Sequence, residues 1–145
     1  QLVEAKRAFD RLTNAGIEVA LSYIYEPGRF RNARDLFEEK IISDREKLDK
    51  FFPLNKVQVI LCHCRPETFL GVTRPLDSGT KLTKALGYIN RGGTLDVEGM
   101  LFANKTTWAH AVFQAMDALA REPNDVLTDE ELAAVLGAGD PNVLR

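Results

Sequence analysis

The sequence is poor in the residues on which small cross-linked or metal-held folds depend. Only two cysteines and two histidines occur in 145 residues. Cys62 and Cys64 stand two positions apart, and no disulfide framework can be built from that pair. Such sparse thiol use favours a reducing, cytoplasmic compartment. No apolar run approaches the ~20 residues that cross a bilayer, which excludes an integral membrane helix and leaves no membrane partner. Charge of one sign is also missing. Lys and Arg number 19 against 21 Asp and Glu, a net charge of −2, so the basic footprint that nucleic-acid binding requires is absent. Gln1–Leu2–Val3–Glu4 has neither an initiator Met nor the basic-then-apolar order of a signal peptide, and the expectation is a piece of a longer chain.

What is present is the composition of an ordinary globular domain, 45% hydrophobic and 28% charged. The length corresponds to about one domain, residues 1–145, with enough buried surface for a core that needs no metals or bridges. The first segment is amphipathic at helical spacing: Leu2, Ala5, Phe9 and Leu12 recur every three or four residues, and Lys6, Arg7, Asp10 and Arg11 face outward. Gly16 supplies the left-handed residue that ends many helices. Residues 17–24 alternate apolar and polar side chains and read as a strand, closed by Pro27–Gly28. Phe30, Ala33, Phe37 and Ile41 suggest an irregular second helix. Ser43 and Glu46 read as a capping box opening a short helix to Phe51.

Residues 57–62 (VQVILC) form a short apolar run bounded by turn signals, expected to be a buried, central strand. Residues 83–89 and 100–103 are two further strand candidates, with a loop at 90–94 between them. A long helix begins near Thr106 or Thr107, carries Trp108, Val112, Ala115 and Leu119 as its stripe, and stops by Pro123. Thr128 and Glu131 form a second capping box. Gly137–Ala138–Gly139 ends that helix, and the tail 140–145 is expected to be loose. Strands alternating with helices predict an α/β domain: a three-layer α/β/α sandwich on a mixed, mostly parallel sheet.

Several constellations invite a functional reading. Cys62–His63–Cys64 suggests a metal, but alternation puts the thiols and the imidazole on opposite faces of a strand. His110 is the only other His or Cys, and a structural zinc site needs four ligands. Buried, unliganded thiols and no metal are expected. Residues 87–94 (GYINRGGT) are glycine-rich yet lack both the Walker spacing and the dinucleotide fingerprint. His110 has no visible acid or nucleophile partner, which favours a hydrogen-bonded structural role. Asn104–Lys105–Thr106 matches the glycosylation sequon, a motif common by chance. Arg29, Arg31 and Arg34 alternate with Asp35, Glu38 and Glu39, as on a solvated helix face. Arg65, Arg74 and Arg91 are the weak candidates for binding an anion.

Gly87–Tyr88, then Gly92, Thr94, Met100, Asn104 and His110 form, without a gap, a pattern that resembles the C-terminal domain of phosphoketolases. Ser43–Asp44–Arg45–Glu46 and the run from Lys56 to His63 match as well, so the likeness covers residues 42–110. Cys64–Arg65–Pro66 and Gly93–Thr94–Leu95–Asp96 depart from the family pattern. The resemblance implies the third α/β domain of a transketolase-like enzyme. Its parent would use thiamine diphosphate and Mg²⁺ to convert xylulose 5-phosphate or fructose 6-phosphate, plus phosphate, to acetyl phosphate and an aldose phosphate. The implied partners are the N-terminal domains of the same chain and further copies in a homo-oligomer. No catalytic or cofactor-binding residue is carried over, and Gly87, Tyr88, Gly92, Thr94, Asn104 and His110 are expected to be structural. Gly139–Asp140–Pro141 is the nearest approach to the Gly-Asp-Gly cofactor signature and lacks its second glycine. The fragment is therefore expected to be inactive alone. Two rival readings are a regulatory module for an anionic metabolite and a stand-alone interaction domain.

Overall fold

The computed structural model describes residues 1–42, 44–89 and 93–145. Seven α-helices and two strands occur among them: α1 (Leu2–Asn14), α2 (Leu36–Glu39), α3 (Arg45–Phe51), β1 (Gln58–Leu61), α4 (Pro66–Val72), β2 (Thr83–Leu86), α5 (Val97–Ala103), α6 (Trp108–Ala118) and α7 (Asp129–Val135). Short 3₁₀ turns at Pro27–Phe30, Arg74–Leu76, Pro123–Asp125 and Pro141–Leu144 complete the chain. None of the helices is long and apolar enough to cross a membrane.

The sheet is small. β1 pairs with β2 in parallel, from Gln58 opposite Thr83 to Leu61 opposite Leu86, and α4 lies between them in sequence as the crossover of a βαβ unit. Pro66 sits in the first turn of α4, where a missing N–H costs nothing. The mixed helix-and-strand class expected from the sequence is present, with strand content limited to this pair. The run 57–62 was expected to be central, and that is corrected: among the described residues β1 has one neighbour, so it is an edge. Its apolar character comes from a helix instead, because Val59 and Leu61 pack on the cluster that α6 organises.

α6 is the hub, touching α1, α7, β1 and β2. Its N-cap is Thr107, whose hydroxyl accepts from the His110 amide. Trp108, Ala109, Val112, Ala115 and Met116 join Ala8, Leu12, Leu127, Ala134, Val135 and Leu144 in one buried cluster. The second capping box forms as read: Thr128 Oγ1 accepts from Glu131 N at 3.2 Å, and Glu131 Oε2 accepts from Thr128 N at 2.9 Å. At the first box Ser43 lies outside the described residues; the cap of α3 is Asp44, which accepts from Lys47 N at 2.9 Å.

Five further expectations are corrected. Residues 18–25 form no backbone hydrogen bond to the rest of the described chain, so they are no strand of the sheet. Ile17 and Val19 reach the core, but Leu21, Tyr23 and Tyr25 are exposed. Residues 100–103 are helical, because Asp96 caps α5 by accepting from Gly99 N at 2.7 Å. The irregular second helix is a 3₁₀ turn and the single turn of α2, and Phe37 is exposed. The tail is docked: Leu144 is buried, and its carbonyl accepts from Trp108 Nε1 at 2.9 Å. Finally, α1 buries Glu4, Ala8 and Leu12, while Leu2 is 54% exposed.

The burial of Glu4 explains that rotation. Glu4 Oε2 accepts from the amide of Trp108 at 2.7 Å, at the positive end of α6. Arg7 and Arg11, on the same helix, place their guanidiniums 5.2 and 4.9 Å from the Trp108 ring centroid. Arg11 also donates to Val126 O at 2.9 Å and Glu131 Oε2 at 2.6 Å, which ties α1 to α7. Glu4→Ala leaves a buried N–H without its acceptor, so a loss of about 1–3 kcal/mol is expected in urea unfolding followed by Trp108 fluorescence.

Candidate functional site

In an open α/β sheet, ligands gather beyond the carboxyl ends of parallel strands. Here that place is built by the segment after β1 (Cys62, His63, Cys64, Arg65) and the segment after β2 (Gly87, Tyr88, Ile89). The two are clamped together: Tyr88 N donates to Cys64 O at 2.9 Å, and Cys62 N to Leu86 O at 2.9 Å. Gly87 is buried at the crossing point. A Cβ there would sit 2.7 Å from Cys62 Sγ and run into the carbonyl oxygen of Cys64. Only a glycine lets the two segments approach this closely.

The cysteines are free, Cys62 buried and Cys64 half-buried. Burial pushes the Cys62 thiol up to about 11, and its sulfur lies 3.3 Å from Cys64 O and 3.5 Å from Leu86 O. The buried thiol is thus held in its neutral form, with one or the other carbonyl as acceptor for its single S–H. His63 is exposed, as is Arg65. No group of three or more His, Cys, Asp or Glu side chains is arranged to hold a metal among the described residues.

Behind the strand ends, the motif residues act on the backbone. Asn104 is buried; its Oδ1 accepts from Ile89 N at 2.8 Å and its Nδ2 donates to Met100 O at 2.8 Å. It thereby fixes the segment after β2 to α5, and its amide is buried away from solvent. His110 is buried in α6, with Nδ1 2.7 Å from Thr107 Oγ1 and its ring edge-on to Phe102 at 5.6 Å between centroids. Tyr88 and Thr94 are exposed, whereas Arg91 and Gly92 lie outside the described residues. Gly87 and Asn104 thus both fix the segment after β2, and His110 packs on α5 through Phe102. Of the anion candidates, the two among the described residues stand apart: Arg65 is at one end of α4 and Arg74 follows the other, about 13 Å apart at the helical rise.

The sequence left the roles of two residues here open. Glu38 looked like part of a solvated face, yet it is buried and held by Arg31 and Arg34. Its signal was the two arginines at i−7 and i−4. Asp140, considered as a cofactor carboxylate, accepts from Asn142 N at 2.9 Å and Asn142 Nδ2 at 2.8 Å. It is the cap of the last 3₁₀ turn, and a Cβ at Gly139 would meet Ala134 N at 2.8 Å. Both Asp140 bonds use Oδ1, and Gly139–Asp140–Pro141 lacks the second glycine of the cofactor signature.

Two outcomes test the roles of Gly87 and His110. Gly87→Ala is expected to cost about 1–3 kcal/mol in urea unfolding, since backbone rather than a pliable side chain blocks the methyl group. Burial first, and the Lys105 cation second, hold His110 down to about 4, against about 6.5 when unfolded. Between those two pH values the unfolded chain takes a proton that the folded chain refuses. Stability is therefore intact above about pH 6.5 and falls as pH drops toward 4, by a total on the order of 3 kcal/mol. His110→Asn is expected to flatten that slope in thermal melts taken across the window. No family model, curated protein or solved structure matches this chain.

Proposed function

We propose that the chain is the C-terminal, non-catalytic domain of a thiamine-diphosphate-dependent phosphoketolase. The observation that carries this reading is the ungapped pattern Gly87–Tyr88, Gly92, Thr94, Met100, Asn104 and His110. Its support is physical: Gly87, Asn104 and His110 are buried and meet protein atoms. Residues so placed shape the domain. In this reading the βαβ unit is the nucleus of a three-layer α/β/α sandwich of the transketolase C-terminal kind. The domain stabilises the parent's assembly with its N-terminal domains and further copies, in the cytoplasm. The parent converts xylulose 5-phosphate or fructose 6-phosphate, with phosphate, to acetyl phosphate and an aldose phosphate. The cofactor supplies the carbon–carbon cleavage chemistry, and in this reading it is held by the parent's other domains.

The experiment compares the isolated chain with the product of the whole gene. Calorimetry of the isolated chain with thiamine diphosphate and Mg²⁺ is expected to show no binding, and an acetyl phosphate assay no product. The whole gene product is expected to do both. Turnover by the isolated chain, or none by the whole product, overturns the proposal.

A further inference from the structure

A second region, away from the strand ends, gathers cations rather than motif residues. Arg31, Arg34 and Arg74 line an open cleft of about 440 Å³ together with Asn32, Gly71 and Val72. We propose that this cleft is an anion site that takes the phosphate group of a small phosphorylated metabolite.

Two of the three guanidiniums are positioned in advance. Glu38 is buried, and its carboxylate receives Arg34 Nε at 2.8 Å and the Arg34 backbone N at 2.9 Å, with Arg31 Nη1 and Arg34 Nη2 in closer contact. Arg31 first, then Arg34, holds that carboxyl well below the usual carboxylate range, so it stays charged at any physiological pH. A guanidinium carries five N–H donors in a fixed fork. Arg34 spends its Nε and one Nη on Glu38 and keeps the others; its side chain is 79% exposed.

The third guanidinium is uncommitted. Arg74 is exposed, and its side chain makes no hydrogen bond or ion pair among the described residues. The carboxylates near the cleft are already used: Glu38 by the two arginines, and Asp35 by the Phe37 and Glu38 amides at 3.0 and 2.9 Å. The lining itself holds three guanidiniums and no carboxylate. Forks presented from separate segments suit a group with several oxygens, and phosphate accepts such forks bidentately. The volume falls in the range of small-molecule sites and exceeds what a bare phosphate fills. Gly71 keeps the lining open, since a Cβ there meets nothing within 4 Å.

This inference is independent of the phosphoketolase reading, and its test uses neither thiamine diphosphate nor turnover. Calorimetry of the full chain with inorganic phosphate, a hexose 6-phosphate and the unphosphorylated hexose is expected to show binding of both phosphorylated probes only. A tighter hexose phosphate identifies an ester as the occupant; equal affinities identify free phosphate. Arg74→Met removes a charge from a side chain that holds nothing in the fold. Gly71→Leu adds a side chain to the cleft lining at a position where a Cβ meets nothing within 4 Å. Each is expected to weaken phosphate binding roughly fivefold or more, the loss of one charge-assisted contact, with an unchanged melting temperature. Raised salt is expected to weaken the wild type further. No binding of either phosphorylated probe at about 10 mM, or binding that either variant leaves unchanged, overturns the proposal.

Discussion

One carboxylate decides how the core closes. Glu4 meets the amide of Trp108 at the start of α6, and α6 is the element on which α1, α7 and both strands lean. A buried carboxylate is costly without partners, and here the helix end supplies the partner. Arg7 stands 3.6 Å from the other Glu4 oxygen, and the same arginine donates to Arg145 O at 3.1 Å. The Trp108 ring is bracketed by two cations on one side of the molecule and tied through its indole N–H to the C-terminal turn. Helix α1, the hub and the tail are thereby locked by polar groups that periodic apolar patterning does not register.

That is why the legible and illegible parts of the fold divide as they do. Elements defined by local chemistry were readable: α6 behind Thr107, α7 behind its Thr128–Glu131 box, and the left-handed Gly16 at φ 76° after α1. Strand β1 was visible as an apolar run and β2 as part of a short strand candidate, but their number of neighbours was not. Burial by a helix and burial by flanking strands leave the same apolar signature. Residues 100–103 were misread because Gly99 interrupts the pattern, and the Asp96 cap that decides for helix lies outside the run itself. The docking of Leu144 depends on a partner far away in sequence, the indole of Trp108, which no local window contains.

The candidate sites divide in the same manner. Gly87, Asn104 and His110 were marked by sequence, and a glycine at a crossing point or an Asn with both amide atoms bonded is what such marks often mean. Arginine placement was less readable. Arg65 and Arg74 are neighbours in the chain, yet α4 separates them, and Arg74 instead meets Arg31 and Arg34 across the fold. A short helix acts as a spacer that disperses charges close in sequence and reunites others remote in it.

The lock between Glu4 and Trp108 also has a consequence in time. Its two halves are 104 residues apart, and a ribosome adding roughly 5–20 residues per second needs about 5–20 s to bridge that interval. Through that delay α1 is complete, but Ala8 and Leu12 have nothing to cover them and Glu4 has no helix end to receive it. The βαβ unit is made in the middle of the wait, before α6, the helix it packs on. Synthesis thus runs ahead of closure, and the nascent chain carries an uncovered amphipathic helix until its own hub arrives.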